Sequence, residues 1–213
     1  MADDELFARI SAQRIAFTDE LGALTAEQWA TPSLCSEWTV KDVLGHLIAT
    51  LRPGAVRNLL WDIVKAGFNP NKGVDRAARA VAAGASPAEL VAELRRRADQ
   101  KFTPPGSGPI APLTDVTIHR RDVGRVVGWT DSTDPADAKL VLDFLCGGRA
   151  RGFVPSKRTA GLSFAATDID WSSGTGPEVA GTSEAITLAV SGRRVALADL
   201  DGSGIAELTR RLS

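Results

Sequence analysis

The sequence predicts a mainly α chain, α+β overall: an antiparallel four-helix bundle followed by a small C-terminal α/β domain. Two observations carry this. Apolar residues recur at helical spacing through the first 150 positions, and the texture changes to short Gly-, Ser- and Thr-rich alternating runs after Gly152. The length of 213 residues, with 44% hydrophobic and 24% charged residues, supports a real core, so disorder is excluded. The expected division is a helical domain over 1–150 and an α/β domain over 151–213.

Leu6, Ile10, Phe17, Leu21 and Leu24 form one apolar stripe on a helix over 3–22, interrupted by polar Gln13 and Arg14. Arg14 is a pocket candidate or else lays its alkyl stem on the core with its charge in water. Thr25, Glu27 and Gln28 start a short turn reaching Trp29. Thr39 and Asp42 form a capping-box pair for a helix from Val40 to Leu51. This helix is apolar nearly all round, with Lys41 and Gly45 as its one wet edge and His46 opposite that edge. Pro53 opens a further helical segment, GAVRNLLWDIVKAG, and FNPNKG reads as a turn before a helix at 74–83. Ser86 caps a helix with Pro87 in its first turn, running to the loop at 103–109. Pro112 opens a helix to Gly128, and another spans 135–147. Residues 149–161 are the expected linker. Two strands are expected within 161–182, then a helix capped by Ser183 and stopped by Gly192. A strand at RRVAL and a final amphipathic helix, GIAELTRRL, complete the chain.

Charge and composition exclude several functions. The net charge of −1 gives no general attraction to nucleic acid or anionic membrane. The basic run at 95–97 has no interleaved aromatics, so it reads as a solvated face. No apolar stretch is long enough to span a bilayer, and the acidic start MADDELFARI does not resemble a signal peptide. Two cysteines, Cys35 and Cys146, make no disulfide framework. The expectation is a cytoplasmic protein, monomer or homodimer, with no nucleic-acid or membrane partner.

The chain holds only two histidines and no tyrosine, so imidazole chemistry rests on His46 and His119. On the helix at 112–128, Asp115, His119 and Asp122 fall within an arc of about 60°. Arg120 and Arg121 lie on the opposite arc. Buried ionisable groups need a partner or a metal. Two inward histidines on two helices, one preceded four residues earlier by a carboxylate, fit a metal site. They fit equally a pair of hydrogen-bonded core histidines, with Asp115 beside His119 and Asp42 beside His46.

At these residues the sequence is similar to a known family. LCSEWTVKDVLGHL (34–47) and PLTDVTIHRRDVGRVVG (112–128) resemble the mycothiol-dependent maleylpyruvate isomerase family, a branch of the DinB-like metal-binding bundles. The tail over 167–212 resembles the small sterol-carrier-like domain fused to that bundle. The resemblance implies that His46, Asp115 and His119 hold a divalent metal, zinc first. Many members carry Glu where this chain has Asp115. It also implies mycothiol, the low-molecular-weight thiol of actinobacteria, as cosubstrate. A metal-bound thiolate would add to a small electrophile, giving isomerisation or thiol transfer. Asp122 is a candidate base or partner of a ligand, or a helix-face hydrogen-bonder. Arg193 and Arg194 are candidate contacts for an acidic substrate group, or a solvated pair. Cys35 and Trp38 read as packing residues. Two other readings stand beside this one: a non-catalytic metal-containing binding protein, and a hydrolase using zinc-bound water.

Overall fold

The computed structural model describes residues 2–35, 37–104, 108–148, 150 and 152–212. Residues 105–107 of the expected 103–109 loop, and Arg149 and Arg151 of the expected linker, lie outside the described residues. The chain is mostly helical, with a small C-terminal four-stranded sheet. By packing it divides into two compact units, residues 1–104 with 122–129, and residues 105–121 with 130–213. No helix among the described residues is long and apolar enough to cross a membrane.

In the first unit, α1 (Asp3–Leu21) is followed by α2 (Ala26–Ala30), α3 (Val40–Leu51), α4 (Ala55–Lys65), α5 (Pro70–Ala83) and α6 (Pro87–Arg96). Helix starts are set by capping side chains: Thr25 with Gln28, Thr39 with Asp42 and Ser86 with Glu89 each close a reciprocal box. Helix α6 packs on both α1 and α3, and α5 packs on both α3 and α4. Ile10, Phe17, Leu44, Ile48, Leu90 and Leu94 are fully buried in this core. Trp129 stands edge-on to Phe17, with ring centroids 6.3 Å apart.

Three expectations are corrected here. The FNPNKG segment is not a turn throughout, because Asn69 caps α5 and Pro70 occupies its first turn. Gly45 is not on a wet edge. It is buried, and a Cβ there would stand 2.4 Å from the Ala78 carbonyl, so α3 and α5 approach backbone to backbone. Arg14 neither reaches water nor stands free. It is 5% exposed, and its Nη1 donates to the carbonyls of Ala98 and Gln100 at 3.0 Å each, tying α1 to the chain leaving α6.

Helix α7 (Ile110–Val127) contributes its first turns to the second unit and its last to the first. It is buried on all sides from Ala111 to Gly124 except at half-buried Asp115. Arg120 and Arg121, expected on an outer arc, are therefore interior, at 7% and 2% exposure.

The second unit continues with α8 (Pro135–Cys146), a single turn α9 (Ser156–Thr159), strands β1 (Ser163–Ala166), β2 (Ser172–Gly174) and β3 (Glu178–Gly181), α10 (Ser183–Val190), β4 (Leu200–Asp201) and α11 (Ile205–Arg211). The sheet order is β2-β1-β3-β4. Strand β1 runs antiparallel to β2 and parallel to β3, with Phe164 opposite Ser173 and Val179. Buried Phe164 and Val179 belong to the strands that contact α10. The segment holds three strands within 161–182 where two were expected. RRVAL forms a 3₁₀ helix over Arg194–Asp199 instead of a strand. Thr182, not Ser183, caps α10, while Ser183 donates its amide and hydroxyl to Asp168 at 2.7 and 2.9 Å.

Arg121 is the largest of the fully buried side chains in this unit and is satisfied throughout. Its Nε and Nη2 donate to Asp131 at 3.0 and 2.8 Å, and its Nη1 donates to the Thr187 hydroxyl at 2.7 Å. Burial pushes the Asp131 carboxyl upward. The facing Arg121 charge and two hydrogen bonds from Thr133 outweigh that and hold it below its ordinary value.

Three stability predictions follow from these contacts. Gly45→Ala lowers the unfolding free energy by about 1–3 kcal/mol, since the Ala78 backbone has to shift; urea unfolding measures it. Arg121→Met strands a buried carboxylate and costs about 3 kcal/mol. Because Asp131 is depressed in the folded state, its stabilising contribution is present above 3.8 and is lost as pH falls through its folded value. Asp131→Asn therefore flattens the acid side of the stability–pH curve measured by thermal unfolding.

Candidate metal centre

The segment entering α3 is a built loop. Val40 donates its amide to the Thr31 carbonyl, and the Ser33 amide and hydroxyl both donate to the Trp38 carbonyl, at 2.8 and 2.9 Å. The Leu34 amide reaches the carbonyl of Asp122 on α7 at 3.4 Å. This delivers the Trp38 ring onto His46, one and a half turns into α3, with centroids 5.1 Å apart and planes tilted by 37°. Trp38 is in turn held by its indole N–H, which donates to Asp75 at 2.8 Å, and Arg79 donates to the same Asp75 oxygen at 2.8 Å. Burial pushes Asp75 up, but these two donors and the Arg79 charge leave its carboxyl below the ordinary value. Arg79 also donates to the Glu37 carbonyl, where the backbone takes φ +67°, a costly conformation for a residue other than glycine. Asp42 is committed to the cap of α3, accepting from the Thr39 amide and hydroxyl at 3.0 and 2.8 Å.

On α7, Asp115 and His119 face one another four residues apart, Oδ1 to Nε2 at 3.5 Å. Asp122, one turn further, is completely buried. One ligand atom each from His46, Asp115 and His119 lie within 4.8 Å of one another. The Cys35 sulfur, a His119 nitrogen and an Asp122 oxygen form a second group of the same span, so His119 is common to both. Two imidazoles and a carboxylate are a donor set that a borderline divalent cation accepts, and zinc, with its preference for nitrogen, oxygen and sulfur, suits either group. The residues present therefore fit the implied metal in kind.

The other candidates have contacts of their own. Arg193 is half-buried, its Nη1 donating to the Ser191 carbonyl at 2.8 Å, and Arg194 is exposed, its Nη1 donating to the Leu212 carbonyl at 2.9 Å. Trp38 is a buried packing residue, as expected. Its service to His46 through Asp75 and Arg79 was not read from the sequence. The one signal available was an i,i+4 Asp–Arg pair on α5, common on any solvated helix. Cys146 is a poor nucleophile, because burial and then the nearby Asp143 push its thiol to about 12.

The fold defines the class of this chain first. A crystal structure of a histidine-to-alanine mutant of the mycothiol-dependent maleylpyruvate isomerase aligns with a TM-score of 0.60 at 13% identity, over 95% of this chain and 93% of that one. A further crystal structure of the mycothiol-dependent maleylpyruvate isomerase aligns with a TM-score of 0.57 at 14% identity, over 91% and 90%. The chain thus has the fold of these enzymes. Residues 10–103, which hold α3 and His46, match the model of the family described as the mycothiol maleylpyruvate isomerase N-terminal domain. No curated protein is significantly similar to this chain.

Asp75→Ala removes the acceptor of the Trp38 indole and the partner of Arg79. The expected cost is about 1 kcal/mol in urea unfolding, because Asp75 is partly exposed. The Trp38 environment changes with it, visible as altered near-UV circular dichroism.

Proposed function

We propose that this chain is a divalent-metal-dependent, mycothiol-using isomerase or S-transferase acting on a small electrophile. The observation that carries the reading is the group of His46, Asp115 and His119 within one ligand span, in a chain whose N-terminal residues match the family model above. In this reading His46, Asp115 and His119 hold the ion, zinc first, and mycothiol is the thiol cosubstrate. When bound, the metal favours the ionised form of a thiol at neutral pH.

The remaining work falls to the protein. Trp38 fixes the plane of the His46 ring, and the Asp115 carboxylate beside His119 favours one orientation of that imidazole. Asp122, fully buried and close to Cys35 and His119, is read as the group that accepts a proton or orients His119. Arg193, half-buried, is proposed as the contact for an acidic group of the substrate, with Arg194 as its neighbour. The shorter Asp115, where many members have Glu, leaves metal preference as a property of this chain to be measured.

One observation favours a second reading. Cys35 and Asp122 lie close to His119, so a protein thiol can compete with an external one, as in a non-catalytic metal-binding protein. Measurement of zinc content and of mycothiol binding separates the two. One zinc per chain, lost in His46→Ala and in His119→Ala, with thiol binding that needs zinc and survives in Cys35→Ala, is the expected outcome. Conversion of maleylpyruvate or transfer of mycothiol to an electrophile then follows. Wild-type protein that takes up no zinc overturns the proposal, and zinc without thiol binding until Cys35 is removed supports the non-catalytic reading.

A further inference from the structure

A cleft of about 1190 Å³ is lined by the end of α3, by α4 and by residues 100–102 after α6. That volume is as large as the sites that take small organic ligands, roughly 300–1,000 Å³. Its apolar lining is unusual for a surface facing water. Leu60, Trp61 and Val64 are 59%, 60% and 45% exposed, although all three are large and apolar. They stand on α4, none of whose side chains is buried. Phe102 lines the same cleft from the segment beyond α6. A contiguous apolar concavity of this kind marks a binding surface more often than a solvated one.

Charge specifies the occupant. Arg52, Arg57 and Lys101 line the cleft, and among the described residues no acidic one does. Two of these cations are already engaged: Glu93 clamps Arg52 with bonds of 3.0 and 2.7 Å, and Asp4 lies 2.6 Å from the Lys101 ammonium. Arg57 has neither a hydrogen bond nor an ion pair among the described residues. Its guanidinium lies over Gly54, where φ is +73° and a Cβ would stand 3.2 Å from Nη2. A planar guanidinium with five donors, beside an apolar wall and without an acid, suits a carboxylate, sulfonate or phosphate on an apolar body. A second copy of this chain fits less well, since a symmetric contact would set these cations against their own copies. A bilayer needs an outward-facing apolar surface, whereas this one is concave.

We propose that this cleft binds a small amphiphilic organic anion, its aromatic or alkyl body against Leu60, Trp61 and Val64 and its charged group on Arg57. Thr50, one turn beyond His46 on α3, also lines the cleft, so the ligand lies along the helix that carries a candidate metal ligand. Binding requires no metal and is independent of the catalytic reading.

The test uses the full chain after dialysis against a chelator, titrated calorimetrically with anilinonaphthalene sulfonate and with dodecanoate. Uncharged N-phenylnaphthylamine is the control. The expected result is one saturable site per chain for both anions, in the micromolar range. Arg57→Glu weakens both anions by roughly tenfold or more and leaves N-phenylnaphthylamine unchanged. Leu60→Asp and, separately, Trp61→Ala weaken all three; both positions are exposed, and an unchanged thermal midpoint shows that the fold is kept. Three results overturn the proposal. The first is no saturable binding, or equal loss of neutral and anionic probes in Arg57→Glu. The second is a dimer in sedimentation that Leu60→Asp dissociates. The third is capture by phosphatidylglycerol vesicles without binding of either soluble anion.

Discussion

Helix α7 imposes the constraint that organises the rest. Thr114, Thr117, His119, Arg120, Arg121 and Asp122 follow one another along a helix with almost no surface, and an ionisable side chain in that position is tolerated only with partners. Much of the second unit can be understood as the supply of those partners. Asp131, in the loop after α7, meets Arg121 head-on, and Ser132 accepts from Arg120 at 2.6 Å. The first two turns of α10 bring Ser183 and Thr187 to the same guanidinium. Asp168, in the loop between β1 and β2, secures Ser183 in its turn. The sheet is thereby linked through α10 to the register of α7, and a slip of α7 by one residue would break every one of these bonds. An apolar helix would have been cheaper to bury but would carry no comparable address.

A parallel arrangement governs α3. This helix is apolar and could slide, yet its start is fixed by the Thr39–Asp42 box and its middle by the contact of Gly45 with the α5 backbone. The same α5 brings Asp75 and Arg79 to Trp38, which lies on His46. The imidazole is thus oriented by residues on two helices and a loop. Rigid elements of this kind hold a functional side chain better than a loop does.

How much of this was open to sequence reading depended on whether the determining partner was near in the chain. The bounds of α3 were legible because Thr39 and Asp42 are three residues apart, and those of α1 and α8 because their periodicity is local. The start of α5 was not, because Asn and Pro serve equally as turn residues and as the first positions of a helix. RRVAL is five residues long, too short for periodicity to distinguish a strand from a 3₁₀ turn. Gly45 was read by its lack of a hydrophobic side chain, whereas its absent Cβ was the informative part. Helix geometry puts Arg120 and Arg121 on the arc opposite Asp115, His119 and Asp122 but does not tell what covers that arc; Arg121 meets Thr187, which lies 66 residues away, beyond any sequence window. At the candidate site, a chain with two histidines leaves few imidazole pairings, so His46, Asp115 and His119 could be nominated together. The Asp75–Arg79 support of Trp38 required the packing of α3 on α5.

One feature of α4 extends to motion. With no side chain buried, this helix is held mainly by α5, where Ile63 rests on Gly73, and touches α3 far less. Its opening exposes little new apolar surface, so it separates from the unit at a small fraction of the global unfolding free energy. Backbone amides of residues 55–65 should then exchange with solvent deuterium well ahead of those in α3. The wall of the cleft is in this sense a door, able to admit a bulky ligand by local unfastening while the core beneath it stays closed.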